Sequence, residues 1–229
     1  HPQFFVINPQ MQIVNIALPK IKGKVLDIGC GRQLLKERIL KQGSSYFGLD
    51  HPKIYKRQRS GLLPDILIDA TAIPSENNAF DSVLMLMVLA HLPSPLKALK
   101  EARRILKPGG LAFISSVENY PEHDPPDNYF RYRLTGLKSL CKDAGFKVIK
   151  GHSWENFWQV NACNFNVFLM QTAKFINDKF SNIPLTVLLT LFFYPLTVLS
   201  NLSAILLGPT DLVKNARLIN FVIFVIVEK

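Results

Sequence analysis

The stretch "VLDIGCGRQ", Val25 to Gln33, decides how the chain is read. An apolar run enters two closely spaced glycines, and "LLKERILKQG" (Leu34 to Gly43) follows as an amphipathic segment stopped by glycine. Strand, glycine turn, helix is the opening of an α/β sheet. A pyrophosphate-binding turn would continue as GxGxxG, whose third glycine lets helix and strand close beside the phosphates. Here Arg32, Gln33 and Leu34 follow Gly31, so that pattern fails. Asp27 instead stands two residues before Gly29. A carboxylate there repels a pyrophosphate and welcomes an ammonium group.

Working outward, short apolar runs alternate with helical patterns, which favours a parallel sheet covered on both faces. Gln10 to Leu18 reads as a leading helix. Strands are expected at "KVLDIG" (Lys24 to Gly29), "YFGLD" (Tyr46 to Asp50), "DILIDA" (Asp65 to Ala70) and from Phe80 in "FDSVLMLMVLAHL". "SPLKALKEARRILKPGG" (Ser94 to Gly110) reads as a helix with Ser94 as cap, Pro95 at its first position and a Pro-Gly-Gly stop. Then come a strand at Leu111 to Ser116, a helix at Arg133 to Phe146, and a strand at Lys147 to His152. The final run, Leu218 to Lys229, is apolar on both parities and so belongs inside the sheet. The gap before it is far too long for a turn. The domain expectation is therefore 1–152 plus 218–229, with 153–217 as a hydrophobic helical insertion.

Two further acids end strands. Asp50 closes the second, where a ribose diol takes a bidentate carboxylate. Asp69 closes the third beside Ala70, where an exocyclic amine of adenine is within reach. An amino-acid part, a ribose and an adenine without phosphate describe S-adenosylmethionine. At this point the chain resembles the class I S-adenosylmethionine-dependent methyltransferases. The resemblance rests on "VLDIGCG", "YFGLD", "IDATAIP" (Ile68 to Pro74), "FDSVLMLMVLAHL", "RRILKPGGLAFIS" (Arg103 to Ser115) and "LTGLKSLCKDAGFKV" (Leu134 to Val148), in order across roughly residues 20–152. It implies a Rossmann-like seven-stranded sheet of order 3-2-1-4-5-7-6, with strand 7 antiparallel and helices on both faces. It also implies that Asp27, Gly29, Cys30 and Gly31 line the methionine end of the cofactor. Asp50 and His51 would serve the ribose, Asp69 and Ala70 the adenine, and Met85 and Leu86 would approach by backbone. Two positions depart from the family. Gln33 stands near the usual third glycine and is expected to crowd the turn, and Ala90 replaces a common Glu before His91.

A hydroxyl acceptor needs a base. His123, in the loop after the fifth strand, is the first candidate, and His91 the second. Tyr129, Arg131 and Tyr132 in "DNYFRYRLTGL" are the candidate substrate contacts, with Arg131 and Arg133 suited to an anionic group. The same stretch resembles a bacterial subgroup with a hydrophobic C-terminal insertion, many of whose members are tied to surface glycan or lipid-linked saccharide synthesis. No metal ligand set is expected.

The charge balance is uneven. Residues 1–150 carry 22 Lys+Arg against 13 Asp+Glu, and residues 151–229 carry 5 against 4. From Phe180 to Thr210 there is no charge at all. A basic surface beside an apolar segment suits an anionic membrane face, and no aromatic-basic nucleic-acid motif is present. Pro195 interrupts Ile183 to Leu207, so two short helices, Leu185 to Tyr194 and Leu196 to Leu207, are expected in place of one span. They would form a membrane hairpin, a lid, a dimer face or plain core. Cys30, Cys141 and Cys163 have no CxxC spacing, which points to a reducing compartment. The N-terminus carries no signal pattern. The expectation is a cytoplasmic enzyme, peripheral at the inner membrane face, that O-methylates a lipid-linked or saccharide-type acceptor. A soluble small-molecule methyltransferase and a non-catalytic cofactor-binding module remain open beside it.

Overall fold

The computed structural model describes residues 4–58, 63–123, 125–155, 157–180, 183–207 and 220–229. Its seven strands are β1 (Lys24–Ile28), β2 (Ser45–Asp50), β3 (Ile66–Leu67), β4 (Phe80–Leu86), β5 (Leu106–Val117), β6 (Lys147–Glu155) and β7 (Asn220–Glu228). They form one sheet of order β3-β2-β1-β4-β5-β7-β6. The pairs β1–β2, β1–β4, β2–β3 and β4–β5 are parallel. β7 runs the other way. Lys229, just past its end, exchanges backbone hydrogen bonds with Gly109 and Gly110 near the start of β5. Ile223 to Val227 are all at most 2% exposed, as a strand covered on both faces requires.

The helices are α1 (Phe4–Ala17), α2 (Lys36–Lys41), α3 (Pro52–Gln58), α4 (Pro95–Ile105), α5 (Leu134–Asp143), α6 (Phe157–Phe180) and α7 (Ile183–Leu207). α4 shows why these segments fold as they do. Ala98, Leu99, Ala102 and Ile105 recur at helical spacing and are all buried, while the basic Arg103 and Arg104 fall in the last turn, where the helix dipole favours them.

Several expectations need correction. The third strand is two residues long, and Asp69 lies beyond it. Ser94 is at the N-cap of α4 but makes no capping bond through its hydroxyl. The Pro-Gly-Gly after α4 is no loop, because β5 begins at Leu106 and runs through it. α7 continues through Pro195 and does not divide into two helices. A proline removes one backbone donor, and here the Thr197 hydroxyl donates to the Tyr194 carbonyl at 2.7 Å. α6 falls within the segment expected to be helical, although no helix with its bounds was foreseen. Residues 218 and 219 of the expected last strand lie outside the described residues.

The chain divides into two compact units. One comprises 12–118, 122–153 and 223–229, and the other 1–11, 119–121 and 154–222. The first holds a core of strand and helix side chains in which Leu26, Val83, Leu99, Phe113 and Val225 are at most 1% exposed. In the second, α6 and α7 pack together, with Ala162 against Ala204 beside Trp158. On α7 the described side chains are those of 192–207. Among the described residues, no helix is long and apolar enough to cross a membrane.

Candidate active site

The site lies in the first unit, at the carboxyl ends of β1, β2 and β4, where open α/β sheets bind ligands. A cavity of about 430 Å³ opens there, within the usual range for small-molecule sites. Its walls are apolar at Ile28, Leu49, Ile54, Ile68 and Val88, and polar at Asp50, His51, Asp69, His91 and Tyr129.

The glycine turn is fixed by its own backbone. Gly29 N and Cys30 N both donate to the Leu49 carbonyl, at 2.8 and 3.1 Å. Gly31 N donates to Asp50 Oδ2 at 3.0 Å. Three successive amides that would cradle a phosphate in a nucleotide site are thus already spent inside the protein. Gly29 is required here: its φ is +73°, and an added Cβ would lie 2.6 Å from Val88 Cγ2.

Gln33 does not crowd the turn. It adopts the left-handed conformation itself, at φ +53°. Its buried side chain donates to the Leu63 carbonyl at 2.9 Å and accepts from Lys36 Nζ at 3.0 Å. Local hydrogen bonds hold it where glycine is usual.

Asp50 is 6% exposed and takes one backbone N–H on each oxygen, from Gly31 and from His51. Burial raises its pKa against the lowering effect of those bonds. Each oxygen keeps a further lone pair, which is what a vicinal diol needs. Asp69 accepts from Thr71 N at 2.8 Å. Burial pushes its pKa up, but the Thr71 hydrogen bonds prevail and hold it low, so it is a carboxylate at neutral pH.

Asp27 lies under the turn rather than in the cavity wall. It is 6% exposed and accepts from the Tyr46 hydroxyl at 2.8 Å. Burial lifts its pKa to about 7, opposed by the Tyr46 bond and reinforced by Asp50. Cys30 faces β2, its sulfur close to Gly48, and burial pushes its thiol up to about 12. Met85 is fully buried in the core. Of the residues expected at the cofactor, Gly29, Asp50, His51, Asp69 and Ala70 line the cavity. Asp27, Cys30, Gly31, Met85 and Leu86 are not among its lining residues.

Met87 lines it in their place. It turns left-handed at φ +62°, and its N–H bonds Ser115 of β5. Nothing in "MLMVLA" announces such a turn. Lys53, Leu92, Pro93 and Asp127 were also missed, all of them cavity residues on loops or short helices whose direction no periodicity sets.

On the acceptor side, His91 and Tyr129 line the cavity, and Tyr129 N donates to the Ala90 carbonyl at 2.8 Å. His91 Nδ1 is 2.7 Å from the Asp127 carbonyl oxygen. A carbonyl only accepts, so Nδ1 carries the proton and Nε2 keeps the basic lone pair. The His123 ring is edge-on to that of His91 at 5.0 Å. Arg131 donates to Asn128 Oδ1 at 2.7 Å and to the Phe130 carbonyl at 2.9 Å. Tyr132 stacks on Phe130 at 5.6 Å. Burial pushes its phenol up to about 12, and its hydroxyl has no hydrogen-bond partner among the described residues. Arg131, Tyr132 and His123 are not among the cavity-lining residues.

Residues 26–114 match the family described as methyltransferase domain. Over that span the chain is similar to methyltransferase domains. A ubiquinone biosynthesis O-methyltransferase of Pseudomonas aeruginosa is 33% identical over 107 residues, 43% of this chain and 46% of the relative. One of Xanthomonas oryzae is 32% identical over 124 residues, 50% of this chain and 52% of the relative. The chain thus spans about half the length of the curated relatives it matches. The fold recurs in a methyltransferase structure from Bacillus halodurans, at TM-score 0.57 and 17% identity over 96% of this chain and 97% of that one. It recurs too in phosphoethanolamine N-methyltransferase 2 of Haemonchus contortus, solved with S-adenosyl-L-methionine, at TM-score 0.54 and 20% identity over 97% of this chain and 52% of that one. The matched span holds all the cavity residues named above up to Leu92 and Pro93, while Asp127 and Tyr129 come from outside it.

Proposed function

We propose that this chain is an S-adenosylmethionine-dependent O-methyltransferase acting on a lipid-linked or glycan-type acceptor at the inner face of a membrane. One observation carries the enzymatic part: Asp50, Asp69 and His91 share a single cavity beside a turn whose amides are not available to phosphate. The residues fit the cofactor. Asp50 has lone pairs for the ribose diol, Asp69 is an ionised acceptor for an exocyclic amine, and Asp27, beneath the glycine turn, would become a carboxylate opposite the ligand's ammonium group. When bound, the cofactor supplies a methyl group on a cationic sulfur.

The chain's residues do the rest. The cavity holds the two reactants in line, and such alignment supplies roughly 7–11 kcal/mol of the barrier. With the cofactor and acceptor bound, His91 Nε2 would accept the acceptor hydroxyl proton that methyl transfer to oxygen releases. The Asp127 carbonyl keeps the imidazole in the required tautomer. His123, expected first as the base, is assigned to the approach beside it. Tyr129 flanks the acceptor.

The names of the curated relatives support oxygen as the methylated atom. The charge-free run from Phe180 to Thr210 supports a lipidic acceptor. The test is calorimetric titration with S-adenosylhomocysteine, followed by methyl transfer from labelled cofactor to lipid-linked saccharides and to soluble phenols. Binding to the wild type, weakened in Asp50→Asn, with label entering a lipid extract, is the expected result. No binding overturns the enzyme reading. Binding with label entering only soluble compounds overturns the lipid acceptor.

A further inference from the structure

The α6–α7 pair is built with inverted polarity. Its shared face carries small and polar residues beside Trp158. Asn166 is fully buried and donates from Nδ2 to Asn201 Oδ1 at 2.8 Å, while Ala162 and Ala204 meet one turn further along. Thr197, a further polar residue on α7, is also buried. Thr197, Asn201 and Ala204 follow one another at spacings of four and three, so they form one stripe.

Apart from Val160 and Leu169, which are buried on α6, many of the large apolar side chains described point outward. On α6, Phe168 is 61% and Phe175 66% exposed. On α7, Phe192 is 66%, Leu199 64% and Leu206 74% exposed, and Phe192, Leu199 and Leu206 are spaced seven apart on one face. A helix of a water-soluble core does the reverse. Small residues and paired amides between helices, with bulky apolar groups outside, is how helices associate in hydrocarbon. Scattered exposed apolar residues are ordinary, but a whole helix face of them marks a contact surface.

We infer that the outward face of α6 and α7 docks on an anionic lipid bilayer and lies in its interfacial plane. Three observations choose lipid over a second copy of the chain. Hydrogen-bonded amides are kept between the helices, and the exposed Phe192, Leu199 and Leu206 on α7 form an uncharged face. The formal net charge of +10, most of it on residues 1–150, draws the chain as a whole to anionic surfaces. Lys174 and Lys179 are exposed at the end of α6, where long side chains reach headgroups while their stems stay apolar. Within the plane of the interface, neither helix needs to span the membrane. The inference rests on the acceptor reading above only in its biological purpose.

The test is flotation of the full chain with vesicles of phosphatidylcholine, alone or mixed with phosphatidylglycerol. The wild type is compared with Phe192→Gln/Leu199→Gln/Leu206→Gln, and S-adenosylhomocysteine binding is measured for both. All three positions are exposed, so the variant keeps its fold. We expect the wild type to float best with phosphatidylglycerol and the variant to partition at least about tenfold less, with equal cofactor-product binding. A wild type that stays at the bottom with both vesicles overturns the inference, as does a variant that floats equally. A concentration-dependent dimer lost in the variant, without flotation, assigns the face to a second copy instead. Flotation without product binding leaves the lipid face standing and removes the enzyme reading.

Discussion

The ring of His91 meets the ring of His123 edge-on, with centroids 5.0 Å apart and planes at 80°. Thirty-two residues separate them, and they arrive from different elements: His91 from the 3₁₀ turn after β4, His123 from the loop after β5. Of the two, His91 lines the cavity, and its tautomer is set by the hydrogen bond from Nδ1 to the Asp127 carbonyl. His91→Asn is expected to lower kcat by about 10²–10⁴ and to leave S-adenosylhomocysteine affinity unchanged. His123→Asn is expected to cost less in kcat. Equal losses, or a loss of product binding in His91→Asn, would remove His91 from the role of base.

Asp50 holds the turn and faces the cavity at once. Asp50→Asn keeps the shape but turns one acceptor oxygen into a donor, against either Gly31 N or His51 N. Affinity for S-adenosylhomocysteine should fall by about 10–100-fold by calorimetry. An unchanged affinity would place the ribose elsewhere.

Asp27 makes stability depend on pH in a defined direction. Its folded pKa of about 7 lies above the ordinary 3.8. Its contribution is therefore fully present below about pH 3.8 and is lost as pH rises through 7. The shift corresponds to roughly 4 kcal/mol. Asp27→Asn keeps an acceptor for the Tyr46 hydroxyl and carries no charge. Its advantage in thermal stability over the ligand-free wild type should grow from about pH 4 to about pH 8. A constant difference would mean that Asp27 titrates normally. A ligand ammonium at the methionine end would favour the carboxylate, so binding near pH 6 should release a proton, seen as a dependence of the binding heat on the buffer.

Gln33 separates two costs that usually travel together. Gln33→Ala loses the bonds to Leu63 and Lys36 but keeps a positive φ, and should destabilise by about 1–2 kcal/mol. Gln33→Gly loses the same bonds and relieves the left-handed strain of about 1–2 kcal/mol. It should therefore melt close to the wild type and above the alanine variant. The opposite order in thermal unfolding would mean that glycine's extra freedom in the unfolded chain outweighs the strain it relieves.

Gly29→Ala meets both a positive φ and Val88 Cγ2 at 2.6 Å. A loss of about 2–4 kcal/mol is expected. Adding Val88→Ala removes the clash, so the double variant should lose less than the sum of the singles by chemical denaturation. Strict additivity would mean the turn yields without touching Val88.

The sheet was legible because its signals are local. β1 with its glycines, β2 ending on Asp50, and the two-sided apolarity of β7 each follow from a few consecutive residues. Asp50 and Asp69 were legible for the same reason, Asp50 closing β2 and Asp69 following β3, while His91 stood out as a histidine shortly after β4. What was missed depends on distant partners. β3 shrinks to two residues because pairing with β2, not its own apolar run, sets its length. β5 begins early because Lys107 bonds Asp81 and Gly109 and Gly110 bond Lys229, so the Pro-Gly-Gly is drawn into the sheet. Met87 replaces Met85 and Leu86 in the cavity because its N–H is turned to Ser115. The continuity of α7 through Pro195 was misjudged by giving a single proline more weight than the long apolar run around it.

The Leu49 carbonyl receives both Gly29 N and Cys30 N, and this limits how the protein can be re-engineered. Exchanging Asp27 and Asp50 for neutral residues would remove the repulsion toward a dinucleotide but would not supply it with donors. The amides would still point at β2. A change of cofactor class would need the register between the first two strands to be rebuilt, so a handful of point substitutions in the pocket would yield an empty enzyme and not one with a new specificity.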